Sequence, residues 1–272
     1  MNKANNDRNS NKGEKTSRRL MPKINSQRLL ADLHRFSSYT ETPGDGVTRF
    51  SYSAMDRKAR AAIKAIADEW GFSFRTDKVG NIRMGLSGNR PGRKTILAGS
   101  HMDTVQNGGW LDGIYGSLAA VEVLRTLAEW QKTHSGEMDR NFEVVIFAEE
   151  EGSNFNSTLT GSKFATGHYG QEQLTRLKNH EGVTLEEMLH QLSGEPTEPA
   201  VPGNGSGGTE EPSLPLPWDF SDIETMVEMH IEQGPVLERE GLQLGIVDSI
   251  FGIRLVEFEI KGVGNHAGAW PM

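Results

Sequence analysis

The sequence predicts an α/β fold, and three consecutive stretches carry the prediction. "KTILAGSH" and "FEVVIFA" are short apolar runs of the kind that form strands buried on both faces. Residues 115–132, between them, place Leu118, Val121, Leu124 and Leu127 along one helical face. Strand, helix and strand thus alternate, as in a sheet covered by helices.

The other elements follow along the chain. Residues 1 to about 22, "MNKANNDRNSNKGEKTSRR" and a little beyond, are polar and read as a disordered tail. "SQRLLADLHRF" spaces Leu29, Leu30 and Leu33 for a helix, with Ser26 as its N-cap. Ala54 to Trp70 repeats that period through Ala61, Ile63 and Ile66, and Gly71 stops it. "FSFRTD" and "NIRMGLSG" read as short strands leading into "KTILAGSH". After residue 170 come two short helical patterns, then "GEPTEPAVPGNGSGGTEEPSLPLP". That composition cannot pack, so about 194–217 is expected to be a flexible surface insertion. "MVEMHIEQGPVLE" reads as a strand carrying His230 and closes a metal-binding domain expected over 23–249. "IRLVEFEIKG" then alternates apolar and polar residues, as if opening a new unit from about residue 250. A domain that has just begun cannot finish in the few residues left, so the sequence reads as a fragment.

Composition narrows the function classes. The net charge is −8, and the chain is not basic outside its first residues, which argues against a nucleic-acid binder. There is no cysteine, which excludes disulfides, thiolate metal sites and a cysteine nucleophile. No apolar run approaches the ~18–20 residues of a membrane span, and the opening residues lack the apolar core of a secretory signal. A cytoplasmic protein without membrane or nucleic-acid partners is the expectation.

Three stretches end strands in metal-ligating residue types. "GSHMDTVQNGGWLDG" holds His101, Asp103 and Asp112; "VVIFAEEEGS" ends in Glu149, Glu150 and Glu151; "EMHIEQG" holds Glu228, His230, Glu232 and Gln233. Ligands of open α/β sheets gather beyond the carboxyl ends of the strands, where these clusters lie. Imidazole with carboxylate suits Zn²⁺ or Mn²⁺ better than Mg²⁺ or Ca²⁺. Taken singly, each has a plainer reading: a structural histidine at a strand end, an Asp-Gly turn at Asp112, a solvated acidic face at the glutamates. Their coincidence in a chain with eight histidines favours a metal centre.

Together "GSHMDTVQNGGWLDGIYGSLAAVEVLRTL", "EEEGSNFNSTLTGS", "EMHIEQGPVLE" and "GNHAGAWPM" resemble the amidase branch of the dinuclear metallohydrolases. That branch comprises N-carbamoyl-L-amino-acid hydrolases, allantoate amidohydrolases and β-ureidopropionases. The resemblance runs from about residue 26 to the end. It implies a metallopeptidase-like catalytic domain, a mixed sheet flanked by helices, followed by the start of a smaller α+β lid and dimerisation domain. It implies two Zn²⁺ or Mn²⁺ ions. His101 and His230 would bind one ion, Asp112 would bridge both, and Glu151 would bind the second. Glu150 would be the general base, and Asp103 would steady the His101 imidazole through its carboxylate. Asn107, Gln233 and His266 would contact a ureido or carbamoyl substrate, with His266 reaching across a homodimer.

The sequence also departs from that pattern. Members run well beyond this length, their last metal ligand being a histidine near the C-terminus, and an arginine for the substrate carboxylate is also missing here. "AWPM" stands where small hydroxyl residues more often precede the proline. A dinuclear aminopeptidase or carboxypeptidase is the nearest rival reading, although Asn107 and Gln233 suit neutral ureido groups better. An inert fragment that keeps the fold without turnover is the rival from another class.

Overall fold

A computed structural model describes residues 21–194, 213–252 and, further on, 256, 258, 259, 261–264, 266, 268 and 269. Helix α1 (Ser26–Ser37) is capped by Asn25, whose side chain accepts from the Arg28 N–H, so the cap lies one residue before the expected Ser26. Helix α2 (Ala54–Trp70) starts on Ser53, which accepts from the Asp56 N–H, and ends at Gly71 with φ 67°. That left-handed turn is one glycine adopts without steric cost. Strands β1 (Ser73–Thr76), β2 (Ile82–Leu86) and β3 (Thr95–His101) follow, then helix α3 (Ile114–Thr133) and strand β4 (Asn141–Phe147). Helices α4 (Thr160–Ala165), α5 (Gln171–Arg176) and α6 (Leu185–Gly194) precede strand β5 (Ile223–Val227) and helix α7 (Val236–Glu240).

Among the described residues the strands form one mixed sheet in the order β1-β2-β4-β3-β5. β1, β2 and β4 are antiparallel neighbours, while β3 runs parallel to both β4 and β5. This is the predicted α/β architecture with a mixed sheet flanked by helices. Alternation along the strands divides the core as expected for a sheet covered on both sides. Ile82, Met84, Val144 and Ile146 face Phe36, Ile63, Leu118, Val121 and Leu124 of the three long helices. Leu97 and Val145 face Ala165, Leu214 and Trp218 on the other side.

Register positions the site. Gly99 pairs with Val145 and His101 with Phe147, so the chain leaves β3 and β4 side by side at one end of the sheet. A Cβ at Gly99 would lie 1.8 Å from the Val145 carbonyl oxygen, so this approach requires glycine. β5 meets β3 as far as the Ala98–Val227 pair, and the chain leaves β5 at the same end.

Three expectations are adjusted. Most of the expected insertion, residues 195–212, lies outside the described residues, as does residues 1–20 of the expected tail. The insertion's last residues are not loose: the Leu214 N–H donates to the Thr76 carbonyl at 2.9 Å, and the side chain is buried against Trp218. His230 is not within a strand, because β5 ends at Val227. The chain divides into two compact units, Met1–Ile231 and Glu232–Met272, ahead of the expected boundary near residue 250. In the second unit Glu232 accepts from the Val236 and Leu237 N–H groups and so starts α7. The strand expected in "IRLVEFEIKG" lies largely outside the described residues. Among the described residues no helix is long and apolar enough to cross a membrane.

Candidate metal centre

The end of β3 delivers His101 into a buried position, 2 % exposed. Its Nδ1 is 3.0 Å from the Asp103 main-chain carbonyl, which therefore accepts the ring proton and leaves Nε2 facing the other donors. The Asp103 carboxylate, 3.7 Å from Nδ1, acts on the ring as a charge; its Oδ2 accepts from the Glu151 N–H at 3.0 Å. Asp103 thus supports two neighbours at once: its main-chain carbonyl accepts from the His101 ring, and its carboxylate accepts from the Glu151 N–H. Gly113 permits the packing: a Cβ there would fall 2.3 Å from the imidazole, and φ is 61°.

Two donor groups share His101. His101, Asp112 and His230 offer atoms within 4.8 Å of one another, and so do His101, Glu150 and Glu151. His230 Nε2 lies 3.1 Å from Asp112 Oδ1, and His101 Nε2 lies 3.6 Å from Glu150 Oε2. The two imidazoles stack at 5.8 Å. Two imidazoles with three carboxylates at such spacing fit divalent ions of the zinc and manganese type.

The electrostatics point the same way. Burial opposes charge on His101, but Asp103, Glu150 and Glu151 outweigh it and raise the imidazole to about 9. Burial raises Glu151 to about 7, with Asp112, Glu150 and Asp103 adding to the rise against the opposing His101. Burial also raises Glu150. Burial and the neighbouring acids thus favour the protonated forms of Glu150 and Glu151, and bound cations would compete with those protons.

Glu149, left without chemistry by its position in the triple, proves to be internal support. It is fully buried at φ 50°, and its Oε1 accepts from the Asn154 and Phe155 N–H groups at 3.0 and 2.7 Å. Burial raises it to about 7. It folds back the loop that presents its two neighbours.

Asn107, expected at the substrate, has both ends of its amide engaged. Nδ2 donates to Asp45 Oδ2 at 2.8 Å, and Oδ1 accepts from the Thr48 hydroxyl at 3.1 Å. Its φ is 52°. The neighbouring Val47–Gly108 bridge and the Trp110–His34 stack at 5.3 Å join the same loop to the α1–α2 connection and to α1. Gln233, with φ 56°, and His266, whose Nδ1 accepts from the Gly268 N–H, belong to the second unit.

Residues without a motif also build the centre. Arg49, 1 % exposed, donates through Nε to the Met102 carbonyl and through Nη1 to the carbonyls of Phe36 and Tyr39. It fastens the exit of β3 to the end of α1. Gly116 lies so close to the Met229 carbonyl that a Cβ would come within 2.0 Å. Arginine in a loop and glycine in a helix carry no periodic signal, so only contacts distant in sequence reveal them.

Residues 97–271 match the peptidase family M20/M25/M40. The chain belongs to this family. Among family relatives, it is 35 % identical over 249 residues to an N-carbamoyl-L-amino acid amidohydrolase of Geobacillus stearothermophilus, covering 92 % of this chain and 56 % of that protein. It is 36 % identical over 236 residues to an allantoate amidohydrolase of Bacillus subtilis (87 % and 52 % covered). Its fold is similar to that of a hydantoinase/carbamoylase family amidase from Burkholderia ambifaria. There the TM-score is 0.65 and the identity 31 %, with 80 % of this chain and 48 % of that one covered. The chain spans about half the length of the curated relatives it matches.

Proposed function

We propose that this family member is a metal-dependent hydrolase of linear C–N bonds, acting on an N-carbamoyl amino acid or a related ureido acid such as allantoate or β-ureidopropionate. The observation that carries the proposal is the meeting of His101, Asp112, His230, Glu150 and Glu151 at one end of the sheet, with His101 common to both donor groups. The N-carbamoyl-L-amino acid and allantoate amidohydrolases named above support the first two of these substrates.

His101 and His230 would hold one ion, Asp112 would bridge, and Glu151 would hold a second; Zn²⁺ or Mn²⁺ suits the donors. Two such ions would supply an acidified water and a Lewis acid for the carbonyl. The protein's own part is proton handling and orientation. Glu150, partly exposed and 3.6 Å from His101, takes a proton from the attacking water and returns it to the leaving nitrogen. For an N-carbamoyl amino acid, one water consumed yields the amino acid, carbon dioxide and ammonia. Asp103 and Glu149 hold the two loops still. Asn107, whose amide is bonded to Asp45 and Thr48, acts on substrate by fixing the loop ahead of Asp112 or by exchanging those partners when substrate enters. Gln233 and His266 are proposed as further substrate contacts, and the assembly as a homodimer.

Ammonia release from N-carbamoyl-L-amino acids, allantoate and β-ureidopropionate, with and without chelator, tests this reading. We expect chelator-sensitive release that falls at least ~100-fold in Glu150→Gln, the scale of a lost general base. Release in the variant equal to wild type would remove Glu150 from that role.

A further inference from the structure

His101 and His230 are held very differently. His101 is inside the sheet, its ring bonded to the Asp103 carbonyl and seated on Gly113. His230 is exposed, three residues past the end of β5, on a segment that has left the ladder with the Ala98–Val227 pair. Its Nδ1 contact is with the carbonyl of the next residue, Ile231, at 2.9 Å, which turns the ring without fixing the segment to the sheet. The site nevertheless requires His230 Nε2 to meet Asp112 and its ring to stack on His101.

We propose that Ser100 and Glu228 form a latch that sets the position of His230 against His101. Ser100 precedes His101 on β3 and is 1 % exposed; its hydroxyl donates to Glu228 Oε1 at 2.6 Å. An O–H donating to a carboxylate at that length is a charge-assisted bond, stronger than a neutral one. It joins the residue next to one imidazole to the residue two before the other. Gly116 completes the arrangement, since its lack of a side chain lets the Met229 carbonyl lie against α3. Ser100 and Glu228 are thus positioning residues: neither belongs to a donor group, and both act through where His230 lies.

The proposal deepens the metal-centre reading, and only one of its two tests rests on that reading. Metal-free crystal structures of wild type, Ser100→Ala, Glu228→Ala and Glu228→Gln measure the separation of the two imidazoles directly. The latch requires the 5.8 Å stack to be kept in wild type and in Glu228→Gln, whose amide oxygen still accepts from Ser100, and lost in the two alanine variants. A stack kept in both alanine variants would overturn it, whatever the metal content. Co²⁺ titration of the same proteins, followed by visible absorption, is the second test. Affinity should fall by about tenfold or more in each alanine variant, the scale of a lost outer-sphere partner, and recover in Glu228→Gln. The Ser100→Ala/Glu228→Ala pair should lose no more than either single variant, because both remove the same bond. Additive losses, or affinity unchanged in the single variants, would count against the latch. A wild-type chain that binds no Co²⁺ would defeat the metal-centre reading, while the ring separations still decide the latch.

Discussion

At the scale of single residues, small differences of placement separate the three adjacent glutamates. Glu149 is buried and bonded to two N–H groups, while Glu150 and Glu151 lie in the donor group around His101. Glu149→Ala would strand the buried Phe155 N–H and expose the Asn154 N–H to loss of its partner. The expected cost is on the order of 1–3 kcal/mol per unsatisfied group. Glu149→Gln keeps an acceptor oxygen in place and should cost less than the alanine variant. Urea unfolding of both variants measures this, and equal losses would mean that Oε1 is not the important atom. Gly113 has a similar single-residue role. Gly113→Ala would set a methyl 2.3 Å from the His101 ring at a positive φ that side chains rarely adopt. Co²⁺ affinity should drop by at least about tenfold, read in the same absorption titration. Unchanged affinity would show that the ring can yield without moving Nε2.

Elements contribute by meeting at particular points, and α3 shows where packing overrides propensity. In a helix interior alanine is favoured over glycine by about 1 kcal/mol. At Gly116 the added methyl would meet the Met229 carbonyl at 2.0 Å, which the backbone of residues 228–230 must move to avoid. Gly116→Ala is therefore expected to lower the urea midpoint and weaken Co²⁺ binding. A raised midpoint with intact binding would mean the helix gains its propensity and the segment adapts cheaply. The turn between α1 and α2 has a comparable effect from the other side. Arg49 donates to three carbonyls, two at the end of α1 and one beyond β3. No periodic pattern in "TRFSYS" announces this, because a buried guanidinium becomes tolerable only when distant carbonyls receive its protons.

For the whole molecule, the charges at the end of the sheet link folding to pH. His101 is raised to about 9 from 6.5, so its contribution is complete below about 6.5 and is lost as pH rises through 9. Glu149 and Glu151 are raised to about 7 from 4.5; their neutral forms favour the fold most fully below 4.5, and this is lost as pH rises through 7. Between about 4.5 and 9 the folded state binds more protons than the unfolded chain, so the metal-free protein should lose stability as pH rises. Ions compete with the same protons, so metal affinity should rise with pH and offset that loss. Urea unfolding at pH 5, 7 and 9, with chelator and with Zn²⁺, measures both slopes. A chelated protein growing more stable from pH 5 to 9 would contradict the raised values.

The sequence by itself determined α1 to α3 and β1 to β4 around the site, because apolar spacing is a local property written at periods of 3.6 and 2, whereas it misplaced the strand before His230. It also determined the donor types, since His101, Asp112, Glu150, Glu151 and His230 stand in recognisable strings. Only the tertiary structure decided which of them meet. The parallel pairing of β3 with both β4 and β5 brings three sequence-distant loops to one end, and that register depends on contacts such as Gly99 against Val145. It decided too that Asp103 holds His101 through its carbonyl, that the amide of Asn107 binds the α1–α2 connection, and that Ser100 reaches Glu228. Each of these is a choice between partners that the sequence alone leaves open. Distance and direction in the folded chain make that choice.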